Sequence, residues 1–129
     1  WQIIKDHPKV ILDVAHNKEG LIEITKQISI QKYRKLSVVL GFIKGRNVND
    51  LLALFPVKSN FYLSSPNIKR AISLIDLKNK IKGSELNIKI EESIVTAYKN
   101  ALSNSNSLDL IIVTGSTFVI AEILEFIKK

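Results

Sequence analysis

The sequence predicts an α/β protein. The expected architecture is three layers, with a mostly parallel sheet of about six strands between helices on both faces and an antiparallel first strand. Three observations carry this. Short apolar or alternating runs, suited to strands, are each followed by runs of 3.6-residue period, suited to amphipathic helices. That alternation continues from Lys9 to the end of the chain, the order that builds parallel sheets. The first run, Trp1 to Lys5, is parted from the second only by His7-Pro8, so the two are expected to pair antiparallel.

Each element has its own signal. Trp1 to Lys5 alternates bulky and polar residues, and Lys9 to Val14 follows as a second strand. From Asn17, a suitable N-cap, Leu21, Ile24 and Ile28 fall on one helical face. Leu36 to Leu40 is an apolar run ended by Gly41, the pattern of a strand buried on both sides. Asn47 caps a short helix carrying Val48, Leu51, Leu52 and Phe55, with Asp50 three residues on, close to a capping box. Asn60 to Leu63 is a strand. The segment from Arg70 to Lys82 contains a helix with Leu74, Leu77 and Ile81 on one face, stopped by Gly83. Leu86 to Ile90 alternates as a strand, and Ser93 to Leu102 is a helix burying Ile94, Ala97, Tyr98 and Ala101. Ser103 to Ser107 is a loop, Leu108 to Thr114 the most hydrophobic strand, and Thr117 to Ile127 the last helix. The whole reads as one Rossmann-like domain over residues 1–129, with no repeat or low-complexity segment.

Composition narrows the function. The 129 residues suffice for one core. With 46% hydrophobic and 24% charged residues, disorder is not expected. The absence of cysteine excludes disulfides and thiolate metal sites. No apolar run approaches the roughly 18 residues of a membrane span, and the start lacks the pattern of a signal peptide. The expectation is therefore a cytoplasmic protein without membrane contact. There is no methionine, which suggests a piece of something longer. The net charge of +7 comes from scattered lysines and reads as a solvated surface with a modest bias towards anions. No basic block suggests nucleic acid.

In open α/β sheets ligands bind beyond the carboxyl ends of the strands. The polar residues able to do chemistry collect there. Asp13 to Asn17 follows the second strand, Gly41 to Asn47 the third, and Ser64-Ser65-Pro66-Asn67, with Lys69 and Arg70, the fourth. Thr114-Gly115-Ser116-Thr117 follows the last. The first and last of these lead into helix N-termini, whose free N–H groups favour phosphate or carboxylate. Each residue also has a plainer reading. Asp13 can bond its own turn, His16 can be a surface or capping histidine, Gly115-Ser116 a tight turn and cap, and Lys44 and Arg46 solvated charges. Their convergence on one edge favours a site. The chain has no Gly-x-x-x-x-Gly-Lys-Ser/Thr, no Gly-x-Gly-x-x-Gly and no Gly-x-Ser-x-Gly. His7 and His16 lack metal-ligand spacing, so no metal site is expected.

Ile11-Leu12-Asp13-Val14-Ala15-His16-Asn17 closely resembles the Asp-x-Ala-His-Asn motif of the folylpolyglutamate/dihydrofolate synthases. Val113 to Glu122, with Thr114-Gly115-Ser116-Thr117 at its centre, is similar to the last strand and helix of the same family, and the spacing fits. The resemblance covers essentially the whole chain. It implies the C-terminal, glutamate-ligase-type lobe of a longer two-domain enzyme in the Mur ligase superfamily, expected to be a monomer.

The resemblance further implies an ATP- and Mg2+-dependent ligase. A substrate carboxylate is phosphorylated, and the amine of L-glutamate attacks the acyl phosphate to form an amide. The acceptor is dihydropteroate, or the γ-carboxylate of a folate. The P-loop and magnesium ligands would lie in an N-terminal domain, and the reaction in the cleft between the two. Residue by residue, Asp13 resembles the family's nucleotide contact at the ribose. His16 resembles the catalytic histidine beside the incoming glutamate, and Ser116 a residue of the glutamate side. Asn17, Arg46 and Arg70 are further candidates. The sequence departs from the family pattern where Gly45-Arg46-Asn47 stands for Asp-Lys-Asp, and where Lys18 stands for a proline. A degenerate lobe without catalysis and a stand-alone α/β binding module are the alternatives. A receiver-like module fits poorly, because Gly41 stands where its phosphoacceptor aspartate would be.

Overall fold

The computed structural model describes residues 1–129 as one six-stranded sheet with five helices. The strands are β1 (Gln2–Asp6), β2 (Lys9–Leu12), β3 (Leu36–Gly41), β4 (Asn60–Ser64), β5 (Asn87–Ile90) and β6 (Leu110–Thr114). The helices are α1 (Lys18–Ser29), α2 (Val48–Leu52), α3 (Leu74–Lys80), α4 (Ile94–Ser103) and α5 (Thr117–Lys128). The strand order is β1-β2-β6-β3-β4-β5. Only the β1–β2 pair is antiparallel.

The alternation of side chains along each strand sorts the core into two. Ile11, Ile112, Val38, Leu40, Phe61 and Leu63 point to one face and meet Leu21, Ile24 and Ile28 of α1, Leu51 and Leu52 of α2, and Leu77 of α3. Val10, Leu12, Ile111, Val113, Val39 and Tyr62 point to the other, against Ile94, Ala97 and Tyr98 of α4 and Val119, Ile120 and Ile123 of α5. Both faces of β2, β3, β4 and β6 are thus covered, which is why these strands read as continuous apolar runs.

Caps set the helix starts. Asn17, Asn47, Ser73, Ser93 and Ser116 each accept a backbone N–H from three residues on. Of the boundaries that differ from the sequence reading, two have a clear local cause. Strand β2 ends at Leu12 because Asp13 turns the chain, its Oδ1 accepting the Ala15 N–H at 3.0 Å. Strand β6 begins at Leu110, since Asp109 N–H bonds back to the Asn106 carbonyl in a turn.

Candidate functional site

Strand order decides where the site lies. Helices α1 and α2, which follow β2 and β3, lie on one face, whereas α5, which follows β6, lies on the other. The chain therefore leaves the carboxyl ends of β2, β6 and β3 in diverging directions. A crevice opens there, the place where open α/β sheets bind ligands.

Hydrogen bonds hold the lips of this crevice. The Ala15 carbonyl accepts from the Gly115 N–H at 3.0 Å and from Thr114 Oγ1 at 3.1 Å. This joins the segment after β2 to the segment after β6. On the other side, the segments after β3 and β4 form a short ribbon. Ile43 pairs with Ala71, Lys44 N–H donates to the Arg70 carbonyl at 2.7 Å, and Ile72 N–H donates to the Phe42 carbonyl at 3.3 Å. Arg70 thus lies in a turn, closed by the Ala71 N–H bonding to the Ile68 carbonyl at 3.1 Å, just before the bridge at Ala71. Helix α3 starts after the Ser73 cap, within the segment Arg70 to Lys82 expected to contain it.

The crevice is a cavity of ≈ 300 Å³ lined by His16, Ile43, Arg46, Arg70, Ser116, Thr117 and Phe118. Four of the six residues singled out from sequence, His16, Arg46, Arg70 and Ser116, therefore share one wall. The His16 side chain is exposed and makes no hydrogen bond to the protein. Arg46 and Arg70 take part in no ion pair. None of the lining side chains is acidic. Ser116 is only 9% exposed, and its Oγ accepts the Val119 N–H at 3.2 Å, so the hydroxyl serves the α5 cap. The positive end of the α5 dipole faces the same space. The cavity is thus cationic and suited to carboxylates or phosphates.

Asp13 and Asn17 stand outside this wall. Asp13 is half-buried, and its Oδ2 pairs with the Trp1 amino group at 2.6 Å. Asn17 Oδ1 accepts the Gly20 N–H at 2.9 Å, as a cap. No group of three or more His, Cys, Asp or Glu side chains is placed to hold a metal ion. Three wall residues were not among the site candidates, although Ile43 and Thr117 lie in the segments expected to form the site edge: Ile43, Thr117 and Phe118. Phe118 lies in an apolar run that otherwise faces the core. It directly precedes the inward-facing Val119 and Ile120, yet is 43% exposed.

The strand order and the anion-suited crevice at the ends of β2, β6 and β3 are the features to set beside known proteins. The chain belongs to the family of the Mur ligase glutamate ligase domain, whose model matches residues 1–117. Within that family, it is similar to the C-terminal domain of the dihydrofolate and folylpolyglutamate synthases. The dihydrofolate synthase/folylpolyglutamate synthase of Buchnera aphidicola subsp. Acyrthosiphon pisum is 29% identical over 126 residues, which are 96% of this chain and 30% of that protein. The structure of Escherichia coli FolC in complex with DHPP and ADP superposes with a TM-score of 0.84 at 24% identity, covering 98% of this chain and 30% of that one. A bifunctional folylpolyglutamate synthase/dihydrofolate synthase with Mn, AMPPNP and L-glutamate bound gives a TM-score of 0.82 at 22% identity, covering 99% and 31%. This chain therefore spans about 30% of the length of the relatives it matches. The expected fold holds: a six-stranded, mostly parallel, Rossmann-like sheet with one antiparallel pair and helices on both faces.

Proposed function

We propose that this chain is the C-terminal lobe of an ATP-dependent ligase that adds L-glutamate to a folate, to dihydropteroate, or to both. The convergence of His16, Arg46, Arg70 and the Ser116-capped N-terminus of α5 on one acid-free cavity carries this reading. L-glutamate is a dicarboxylate, so two guanidinium groups and a helix N-terminus complement it. Arginine binds carboxylates with two parallel hydrogen bonds, which fix orientation as well as charge. The relative with L-glutamate bound supports the substrate class.

In this reading the lobe holds the glutamate while a second lobe delivers the activated acceptor. The amine attacks the acyl carbon of an acyl phosphate, the C–O bond to phosphate breaks, and the amine loses a proton. The unpaired imidazole of His16 is exposed and lines the cavity, and in this reading it orients the amine or takes that proton. Fixing the amine at attack distance lowers the entropic part of the barrier. Phe118 and Ile43 help to exclude water, which otherwise consumes an acyl phosphate.

The side chain of Asp13 fits a nucleotide contact. It is half-buried at the same sheet edge and can accept from ribose hydroxyls. ATP would supply the phosphoryl group that activates the acceptor. A divalent cation does not fit the donor groups of this lobe, so Mg2+ would be held by the P-loop domain, with which this lobe would form the site.

The test is ATP-dependent transfer of labelled L-glutamate to folate and to dihydropteroate by the protein that carries this lobe with its P-loop domain. Transfer to either acceptor supports the reading, and the preferred acceptor assigns the activity. A folded two-domain protein that hydrolyses ATP but transfers no glutamate would favour the degenerate-lobe alternative.

A further inference from the structure

The geometry points to a second anion site at the opposite edge of the sheet, taking a small oxyanion that bears phosphate or carboxylate groups. This inference does not rest on the reading of the crevice. A cavity of ≈ 390 Å³ opens between the segments that lead into β3 and β4. Tyr33, Arg34 and Lys35 form one wall and Pro56, Lys58 and Ser59 the other. These residues precede their strands, so the cavity lies at the amino ends, a full strand length from His16 and Arg70.

Its electrostatics are one-sided. Lys35 and Lys58 are exposed and take part in no ion pair. Arg34 donates through Nε and Nη2 to the two carboxylate oxygens of Asp109, at 3.1 and 3.2 Å. Asp109 is 3% exposed and also accepts the Asn106 N–H at 2.8 Å, so its charge is compensated inside the protein. That pair fixes the plane of the guanidinium and leaves Nη1 free to donate. No acidic side chain lines the cavity.

Ser59 adds an independent observation. It is 1% exposed, and its Oγ is the one buried side-chain polar atom in the protein without a hydrogen-bond partner. A buried hydroxyl left unpaired is destabilising, because it has given up its water without gaining a partner. It forms part of this wall. An oxyanion seated between Lys35 and Lys58 offers an acceptor to which the hydroxyl can turn. The cavity is thus lined by two exposed ammonium groups and one fixed guanidinium, with the unpaired Ser59 hydroxyl in its wall and no acid among the lining residues.

The test is titration of the 15N-labelled chain with inorganic phosphate, pyrophosphate and citrate, at ionic strength held constant with chloride. Amide shifts are read residue by residue. The expected result is saturable shifts confined to residues 33–36 and 56–60, scored apart from any at 16, 46, 70 and 116. Tighter binding of pyrophosphate than of citrate assigns a phosphate ligand, and the reverse a polycarboxylate. The double variant Lys35→Gln/Lys58→Gln, at exposed positions, should weaken the Kd by roughly tenfold or more, and Ser59→Ala by a smaller factor. The absence of saturable shifts in these segments, unchanged binding by the double variant, or shifts spread evenly over the surface lysines would overturn the site.

Discussion

The backbone of Gly41 occupies the space that a side chain on Gly115 would need. A Cβ added to Gly115 would lie 2.4 Å from the Gly41 carbonyl oxygen and 3.0 Å from its nitrogen. The cause is register. Leu40 pairs with Thr114 in the parallel β3–β6 ladder, so the residues that follow meet at the floor of the crevice. Gly115 also has φ +130°, a conformation closed to other L-residues.

Three glycine variants separate these effects by urea unfolding. Gly115→Ala meets both strain and backbone, so a loss of roughly 3 kcal/mol or more is expected. Gly41→Ala meets side-chain ends, Val119 Cγ2 at 2.5 Å and Ile94 Cδ1 at 2.8 Å, which can shift. It should cost roughly 1–3 kcal/mol. Gly45→Ala has φ +85° but open space around it, so about 1 kcal/mol is expected. Equal losses at Gly115 and Gly45 would show that the close approach to Gly41 carries no energetic weight.

His16→Ala should leave stability within about 0.5 kcal/mol, because the side chain is exposed and makes no hydrogen bond to the protein. In the full ligase, the same change should lower glutamate transfer by roughly 100-fold or more. Unchanged transfer kinetics would remove His16 from the proposed mechanism.

Arg46→Gln and Arg70→Gln should each raise the KM for L-glutamate by roughly tenfold or more, since a hydrogen bond to a charged group contributes about 1.5–3 kcal/mol. The KM for ATP should change little. A parallel rise in both would place the arginines on the nucleotide instead.

Much of this arrangement was legible in the sequence, and the limits have physical causes. The faces of α1, α4 and α5 repeat with the helical period, and Asn17, Asn47, Ser93 and Ser116 sit where caps belong, so these elements are locally encoded. The insertion of β6 between β2 and β3 is a long-range pairing, and no local pattern reports it. The sequence left the start of α3 open within Arg70 to Lys82 for a similar reason. Residues 70–72 pair with residues 42–44, which follow the neighbouring strand β3, and this non-local pairing decides where the helix can begin. Within the site, His16 and Ser116 stood out through their motifs, while Phe118 was hidden in an apolar run that otherwise faces the core.

Tyr98 provides a pH test. Burial pushes its hydroxyl pKa above the ordinary value of 10.0. The folded state then keeps a proton that the unfolded chain loses. Stability should therefore be unaffected below about pH 10 and fall as pH rises from there towards the folded pKa. Tyr98→Phe should remove this part of the alkaline decline. An identical decline in the variant would assign it to the lysines.

Asp109→Ala should be more harmful than its position in a turn suggests, at about 2–4 kcal/mol by thermal or urea unfolding. It leaves the Asn106 N–H and the Arg34 guanidinium without their acceptor. Asp109→Asn keeps one acceptor and should lose less.

The central place of β6 has a consequence during synthesis. Residues 110–114 are the last strand made, yet they complete the middle of the sheet. Until they leave the ribosome, β2 and β3 each present a bare apolar edge with nothing to pair against. Sheets that depend on such distant partners form slowly, and open strand edges recruit other chains. The lobe should therefore be prone to aggregate until residues 110–114 are available, and truncation before residue 110 should yield aggregates more often than folded protein.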